Sequence, residues 1–435
     1  MKVGVVGCGY LGAVHAASMA ELGHTVVGYD VDADKVAGLA KATSPFFEPD
    51  LDALLERTLA TGRLSFTTDP DDLSDAEMVF VCVGTPQRAG ELAADTSFVD
   101  AAVATVAEHV KVPALVVGKS TVPVGTAARL ARGLESSASH LELAWNPEFL
   151  REGHAVADTL HPDRLVFGVA SPRAERMLQE VYATPIAEGS PVVVTDYATA
   201  ELVKVSANAF LATKISFINA MAEVCEAAGG DVVQLADAIG HDKRIGRAFL
   251  NAGLGFGGGC LPKDIRAFMA RAGELGADQA LTFLREVDAI NMRRRSRMVD
   301  LAREACGGSL IGHKVAVLGA AFKPHSDDIR DSPALNVAAQ LQLQGGDVVV
   351  TDPQALDNAR RLWPGLSYAT TPSQACAGAD VVLLLTEWPE YVALDPEALG
   401  DVVRRKAVVD GRNALDAAAW KAAGWTYRAL GRPEV

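Results

Sequence analysis

The stretch KVGVVGCGYLGAVHAASMAELGHTVVGYD, residues 2–30, decides the fold. It opens with a short apolar run, Lys2 to Val6, bounded by glycine, the form of a strand buried in a parallel sheet. Gly7, Gly9 and Gly12 follow in G-x-G-x-x-G spacing, residues 13–22 have helical composition, and a second strand from Thr25 to Tyr29 ends at Asp30. Glycines permit a tight turn and close approach of a pyrophosphate, the helix N-terminus meets the phosphates, and an acid at this distance accepts from ribose hydroxyls. A mere tight turn explains the glycines but not the acid 18 residues after Gly12. Asp30 favours NAD over NADP, because a 2′-phosphate beside a carboxylate would be repelled.

The alternation continues outward. Apolar strands at residues 78–83, 114–118 and 141–145 run into VGTP (83–86), KSTVPVGT (119–126) and NPEFLREG (146–153), and residues 164–169 and 191–194 read as closing strands. Ligands of parallel sheets sit beyond the carboxyl ends of the strands, so three polar clusters there point to one crevice. Taken alone, Thr121 is also compatible with a helix cap and Glu148 with a surface charge.

Composition bounds the rest. The 435 residues, 49% hydrophobic and 22% charged, describe an ordinary globular chain with room for two to four domains. A net charge of −15 argues against a nucleic-acid surface. Six scattered cysteines without a CxxC pair suggest a reducing, cytoplasmic compartment. The start MKVGVVGCGYLG lacks the pattern of a signal peptide or anchor, and no apolar run approaches membrane-spanning length. The nine histidines form no HxxxH pair and no Cys/His cluster, so no metal is expected.

From about residue 196 a proline-free run of about 30 residues ends at Gly229 and Gly230, a helix of roughly 45 Å that could bridge two domains. Lys204 and Asn208, four apart, share one of its faces. Residues 231–291 read as mostly helical around a loop at 253–263, which overlaps GFGGGCLPKD (255–264). Cys260 stands there with Lys263 and Asp264 three and four residues on, the makings of an activated nucleophile; an inert buried cysteine has the same local sequence. The arginine run at 293–297 reads as a solvated face. A second α/β unit starts near Lys314, with strands at 315–318, 347–351, 381–386 and 407–410, but its turn lacks G-x-G-x-x-G. Lys323, Arg330 and Arg412 fall at strand ends there, suiting a phosphate or serving as surface cations.

With these motifs assembled, the chain resembles the UDP-glucose 6-dehydrogenases within the nucleotide-sugar dehydrogenase group. The likeness rests on GCGYLG with Asp30, VGTP, KSTVPVGT, NPEFLREG, HPDR (161–164), ELVKVSANAF (201–210), GFGGGCLPKD, GAAFKP (319–324) and DGRN (410–413), and covers nearly the whole length. It implies an α/β fold of two Rossmann-like doubly wound domains joined by a long central helix and a helical dimerisation region. The implied boundaries are 1–195 for NAD, 196–300 for dimerisation and catalytic residues, and 301–435 for the UDP-sugar. The implied reaction is NAD-dependent, two-step oxidation of UDP-glucose at C6 to UDP-glucuronate through a thiohemiacetal and thioester on Cys260, in a homodimer.

The resemblance also implies roles. Lys204 and Asn208 would stabilise an oxyanion, Asp264 would hold a water, and Thr121 and Glu148 would position a water with Glu148 as the hydrolytic base. The first proton could go to Lys204 or Asp264. Gly7, Gly9, Tyr10, Leu11, Gly12, Asp30, Lys35, Thr85, Thr121 and Glu152 would contact NAD, together with Lys263, Arg266 and Arg330. Glu148, Phe149, Leu150, Arg151, Glu152, Lys204 and Asn208 would face the sugar nucleotide. So would Phe249, Leu250, Asn251, Ala252, Gly253, Gly257, Lys323 and Arg412, with Arg244 reaching into the partner subunit's site. Gly259 stands where many relatives have serine, and CLPKD also occurs in GDP-mannose relatives. The same chemistry on GDP-mannose or a UDP-N-acetylhexosamine is therefore the near alternative; a non-catalytic nucleotide-sugar sensor is the alternative of another class.

Overall fold

Successive side chains of a strand point to opposite faces. Along the strand Met78–Val81, Met78 and Phe80 accordingly join one core, Val79 and Val81 the other. Such fully apolar strands lie buried between helices on both faces, as parallel sheets require. The computed structural model describes residues 1–433. They divide into two units, the first comprising Met1–Ala207 with Arg266–Gly276, the second Asn208–Ile265 and the chain from Ala277 onward.

The first unit holds an eight-stranded sheet of β1 (Lys2–Val6), β2 (Thr25–Tyr29), β3 (Leu64–Thr67), β4 (Met78–Val81), β5 (Ala114–Gly118), β6 (Leu141–Trp145), β7 (Leu165–Gly168) and β8 (Val192–Thr195). Its order is β3-β2-β1-β4-β5-β6-β7-β8. The strands are parallel except that β7 meets β6 antiparallel. Chain order reverses between β1 and β4, the switch point where a crevice for ligands opens. The second unit carries a parallel sheet of β9 (Lys314–Leu318), β10 (Asp347–Thr351), β11 (Ser367–Tyr368), β12 (Val381–Leu384), β13 (Ala407–Asp410) and β14 (Thr426–Ala429). Its order is β11-β10-β9-β12-β13-β14, with the same reversal between β9 and β12. Sequence reading missed β3, β11 and β14, which are edge strands and need no continuous apolar run.

The long helix runs Tyr197–Ala228, 32 residues. Asp196 starts it by accepting the Thr199 N–H and hydroxyl, and beyond it Gly229 at φ +75° lets the Gly230 N–H return to the Cys225 carbonyl. The helix Val232–Gly240 follows, then an irregular stretch to Cys260, longer than the 253–263 loop expected. The helix Leu261–Glu274 therefore begins immediately after the thiol.

The arginine run departs from expectation most. On the helix Phe283–Ala305, Arg294 is 0% and Arg295 is 2% exposed, not solvated. Arg294 pairs with Glu226 at 3.0 Å, and Arg295 pairs with Asp331 at 2.8 Å and donates to the Phe256 carbonyl. These acceptors are remote in sequence, so charge patterning along the helix could not reveal them. Among the described residues no helix is long and apolar enough to cross a membrane.

Candidate active site

Gly7 sits at φ +89° with its N–H on the Tyr29 carbonyl at 2.8 Å. A side chain at Gly12 would lie 1.8 Å from the Gly7 carbonyl oxygen, so only glycine lets the helix Tyr10–Glu21 start this close to β1. Beside Gly9 nothing would meet a side chain within 4 Å. The helix has neither a side-chain cap nor an acid in its first turn, which leaves its leading N–H groups and positive dipole end to an anion. Asp30 is buried. One of its oxygens accepts from the Cys8 N–H at 2.8 Å and Lys35 Nζ at 2.9 Å, the other from the Asp32 N–H at 3.0 Å. A carboxylate with three donors keeps capacity for another. These residues fit a dinucleotide: the N–H groups of Tyr10, Leu11 and Gly12 for its pyrophosphate, Asp30 for a ribose. Lys35 balances the charge of Asp30.

The loops beyond β4, β5 and β6 are laced together. Thr85 Oγ1 donates to the Thr121 carbonyl at 2.8 Å and Ser120 Oγ to the Val83 carbonyl at 2.6 Å. Glu148 accepts the N–H groups of Phe149 and Leu150 at 2.7 and 3.0 Å on one oxygen and Lys119 Nζ at 3.0 Å on the other. Burial raises the Glu148 pKa, but the Lys119 ammonium and these N–H groups outweigh it and hold the carboxyl below the usual glutamate range. The Phe149 ring lies 3.8 Å from the Arg164 guanidinium and 5.4 Å from Lys204 Nζ. Arg151 is held by Asp158 in a two-pronged pair at 2.8 and 2.6 Å.

In the second unit the exposed Cys260 caps the helix Leu261–Glu274, its carbonyl accepting the Asp264 N–H at 2.9 Å. The positive end of the helix dipole favours negative charge there. Asp264 is buried and takes Asn208 Nδ2 on one oxygen and Lys263 Nζ on the other, both at 2.6 Å. Arg266 lies further along this helix. The glycines before the thiol have a packing role: side chains at Gly257 and Gly259 would fall 2.4 Å from the Asp331 carbonyl oxygen and 2.3 Å from the Arg330 guanidinium carbon.

Other expected contacts are placed unevenly. Arg412 is not a surface cation. Its guanidinium is 12% exposed and donates to the carbonyls of Leu385, Gly255 and Phe322. Lys323 Nζ lies 5.4 Å from the Phe322 ring, and Arg330 pairs with Asp328 at 2.6 Å. Phe249 adopts φ +64°, Leu250 and Ala252 are buried, and Asn251 accepts from Arg247 at 2.7 Å. Gly253 donates its N–H to Asn219 at 2.9 Å. Arg244 is 89% exposed and paired with Asp242.

Two residues escaped sequence reading. Glu48 accepts the Tyr10 hydroxyl and the N–H groups of Gly153 and Ala155 at 2.6 and 2.7 Å, tying the glycine turn to the segment carrying Glu152. Lys119 directly follows an all-buried strand, the one local sign that it would be buried.

A dinucleotide accepts hydride, and the glycine turn with Asp30 places the chain among NAD-dependent oxidoreductases. Comparison with known proteins sharpens the class. Three models of the UDP-glucose/GDP-mannose dehydrogenase family match in order: the NAD binding domain over residues 1–186, the central domain over 198–293 and the UDP binding domain over 316–417. The chain is 42% identical over 442 residues to the UDP-glucose 6-dehydrogenase of Rhizobium meliloti (strain 1021), with all of both chains covered. It superposes on a UDP-glucose dehydrogenase from Pyrobaculum islandicum with a TM-score of 0.90 and 39% identity, over 99% of this chain and 98% of that one. A UDP-D-ManNAc dehydrogenase from Pyrococcus horikoshii gives 0.88 and 28% over all of both chains. The chain belongs to the UDP-glucose/GDP-mannose dehydrogenase family, and NAD is its cofactor.

Proposed function

We propose that this chain oxidises the C6 hydroxymethyl group of UDP-glucose to the carboxylate of UDP-glucuronate, consuming two NAD per sugar. The observation that carries the reading is Cys260, exposed at the start of a helix whose first turn holds the Asn208–Asp264–Lys263 network. The identity of 42% to a UDP-glucose enzyme, against 28% to a UDP-D-ManNAc and 27% to a GDP-mannose dehydrogenase, favours UDP-glucose over the N-acetylhexosamine and GDP-mannose alternatives.

NAD, when bound, accepts a hydride from C6 in each of two rounds. In the first, the hydroxyl proton leaves to Lys204 or through a water held by Asp264, giving the aldehyde. Cys260 Sγ then bonds to the aldehyde carbon, and the oxyanion takes a proton to become a thiohemiacetal. Loss of the second hydride and of the hydroxyl proton leaves a thioester. Water, positioned by Thr121 and Glu148, breaks the C–S bond and returns the thiol. Lys204 Nζ and the Asn208 amide donate to the C6 oxygen; one N–H of that amide is engaged by Asp264, leaving the other for substrate.

The division at 1–195, 196–300 and 301–435 follows the NAD, catalytic and UDP-sugar tasks. A homodimer along the long helix is supported by Phe210, Phe217 and Val224, spaced seven apart and 66%, 48% and 56% exposed. Arg244 would then serve the partner's site. Six cysteines outside any disulfide suit a cytoplasmic enzyme.

NADH formed per sugar, measured over UDP-glucose, GDP-mannose and UDP-N-acetylhexosamines, tests the reading. Two NADH from UDP-glucose is expected. A ratio of one would end the reaction at the aldehyde, and turnover of GDP-mannose alone would reject the substrate.

A further inference from the structure

Lys119 lies in the core of the first unit, its side chain 4% exposed. We propose that it is a positioning residue that keeps Glu148 ionised and aimed at the hydrolytic water. The proposal rests on the role of Glu148 given above.

The three N–H groups of the ammonium have three partners: Glu148 Oε2 at 3.0 Å, Asn146 Oδ1 at 3.0 Å and the Tyr182 hydroxyl at 3.2 Å. The partners are themselves fixed. Tyr182 donates to Asn146 Oδ1 at 2.7 Å, and Asn146 Nδ2 donates to the Val166 carbonyl at 3.0 Å. The rings of Phe80 and Tyr182 lie 5.9 and 5.7 Å from the ammonium. An ammonium with every donor engaged between aromatic faces holds its charge despite burial.

The neighbouring ionisable groups remain neutral. His15, on the helix Tyr10–Glu21, is fully buried, and burial with the nearby Lys119 charge keeps its pKa well below the usual histidine range. Burial pushes Cys82, after β4, and Tyr182 up to about 12. The charge of this cluster therefore rests on Lys119 and Glu148. Glu148 keeps 16% exposure, so the pair has one buried end and one end that water reaches. Removing Lys119 would leave a nearly buried carboxylate without its counter-charge, and its proton affinity would rise.

The test compares pH profiles of kcat for the full-length wild-type, Lys119→Met, Lys119→Arg and Glu148→Gln proteins, with thermal melts confirming the fold. Lys119→Met should move the acid limb up by about one unit or more, a roughly tenfold loss on that limb that high pH recovers. Lys119→Arg should restore most of the lost range. An unmoved limb in Lys119→Met with a slow Glu148→Gln would overturn the proposal alone. Glu148→Gln at the wild-type rate would overturn the Glu148 reading and the proposal with it. Should Lys119→Met fail to fold, the infrared difference between wild type and Glu148→Gln decides. An ionised carboxylate band at about pH 3.5, below the ordinary glutamate pKa of about 4.3, supports the proposal, and a neutral band there overturns it.

Discussion

Asn208 and Asp264, 56 residues apart in the chain, are joined by a hydrogen bond of 2.6 Å from the amide nitrogen to a carboxylate oxygen. The contact orients the amide, so that its second N–H is the one available to the C6 oxygen. Asn208→Ala should lower kcat by about 10²–10³-fold. Because Lys263 still satisfies Asp264, the fold should persist and the KM for UDP-glucose should change little. Steady-state kinetics check this; an unchanged kcat would remove Asn208 from the oxyanion site.

Cys260→Ser exchanges a good leaving group for a poor one at an exposed helix cap. Turnover should nearly stop, with a covalent sugar-nucleotide adduct accumulating at residue 260 under substrate. Intact-protein mass spectrometry detects it. Wild-type rates in this variant would exclude the thioester route.

At position 259 a side chain would meet the Arg330 guanidinium at 2.3 Å, and that group is the movable end of a flexible chain. Gly259→Ser should therefore keep its melting temperature while swinging Arg330 away, raising the KM for NAD by a few-fold. An unchanged NAD affinity would remove Arg330 from the cofactor contacts.

Glu226 carries the buried end of the arginine run, pairing with Arg294 at 3.0 Å and Arg297 at 2.8 Å and accepting the Gly431 N–H at 2.9 Å. Burial raises its pKa, but Arg297 and Arg294 outweigh burial and depress it below the usual glutamate range. Its stabilising contribution is thus present above the unfolded pKa and lost as pH falls through the depressed folded value. Glu226→Gln should cost about 3 kcal/mol at neutral pH, because the buried Arg294 keeps only the more distant Glu223, at 4.0 Å, as a charge partner. The gap from wild type should narrow in acid. Denaturant titration across pH reads both, and a gap that widens in acid would contradict the assignment.

Much of this enzyme was legible in its sequence because the deciding signals are local. The turn at Gly7–Gly12, the acid at Asp30, the helix ending at Gly229 and the thiol before Lys263 and Asp264 each follow from spacing and backbone freedom within a few residues. Those properties travel with the chain. Tertiary structure decided which charges are buried and with whom. Lys119 meets Glu148 29 residues on, Tyr10 meets Glu48, Arg294 meets Glu226, and Arg412 spans three carbonyls. In one dimension Lys119, Arg294 and Arg412 look like the many cations that remain in water. Whether a charge is buried depends on acceptors brought alongside by sheet order and helix packing, which neighbouring residues do not encode.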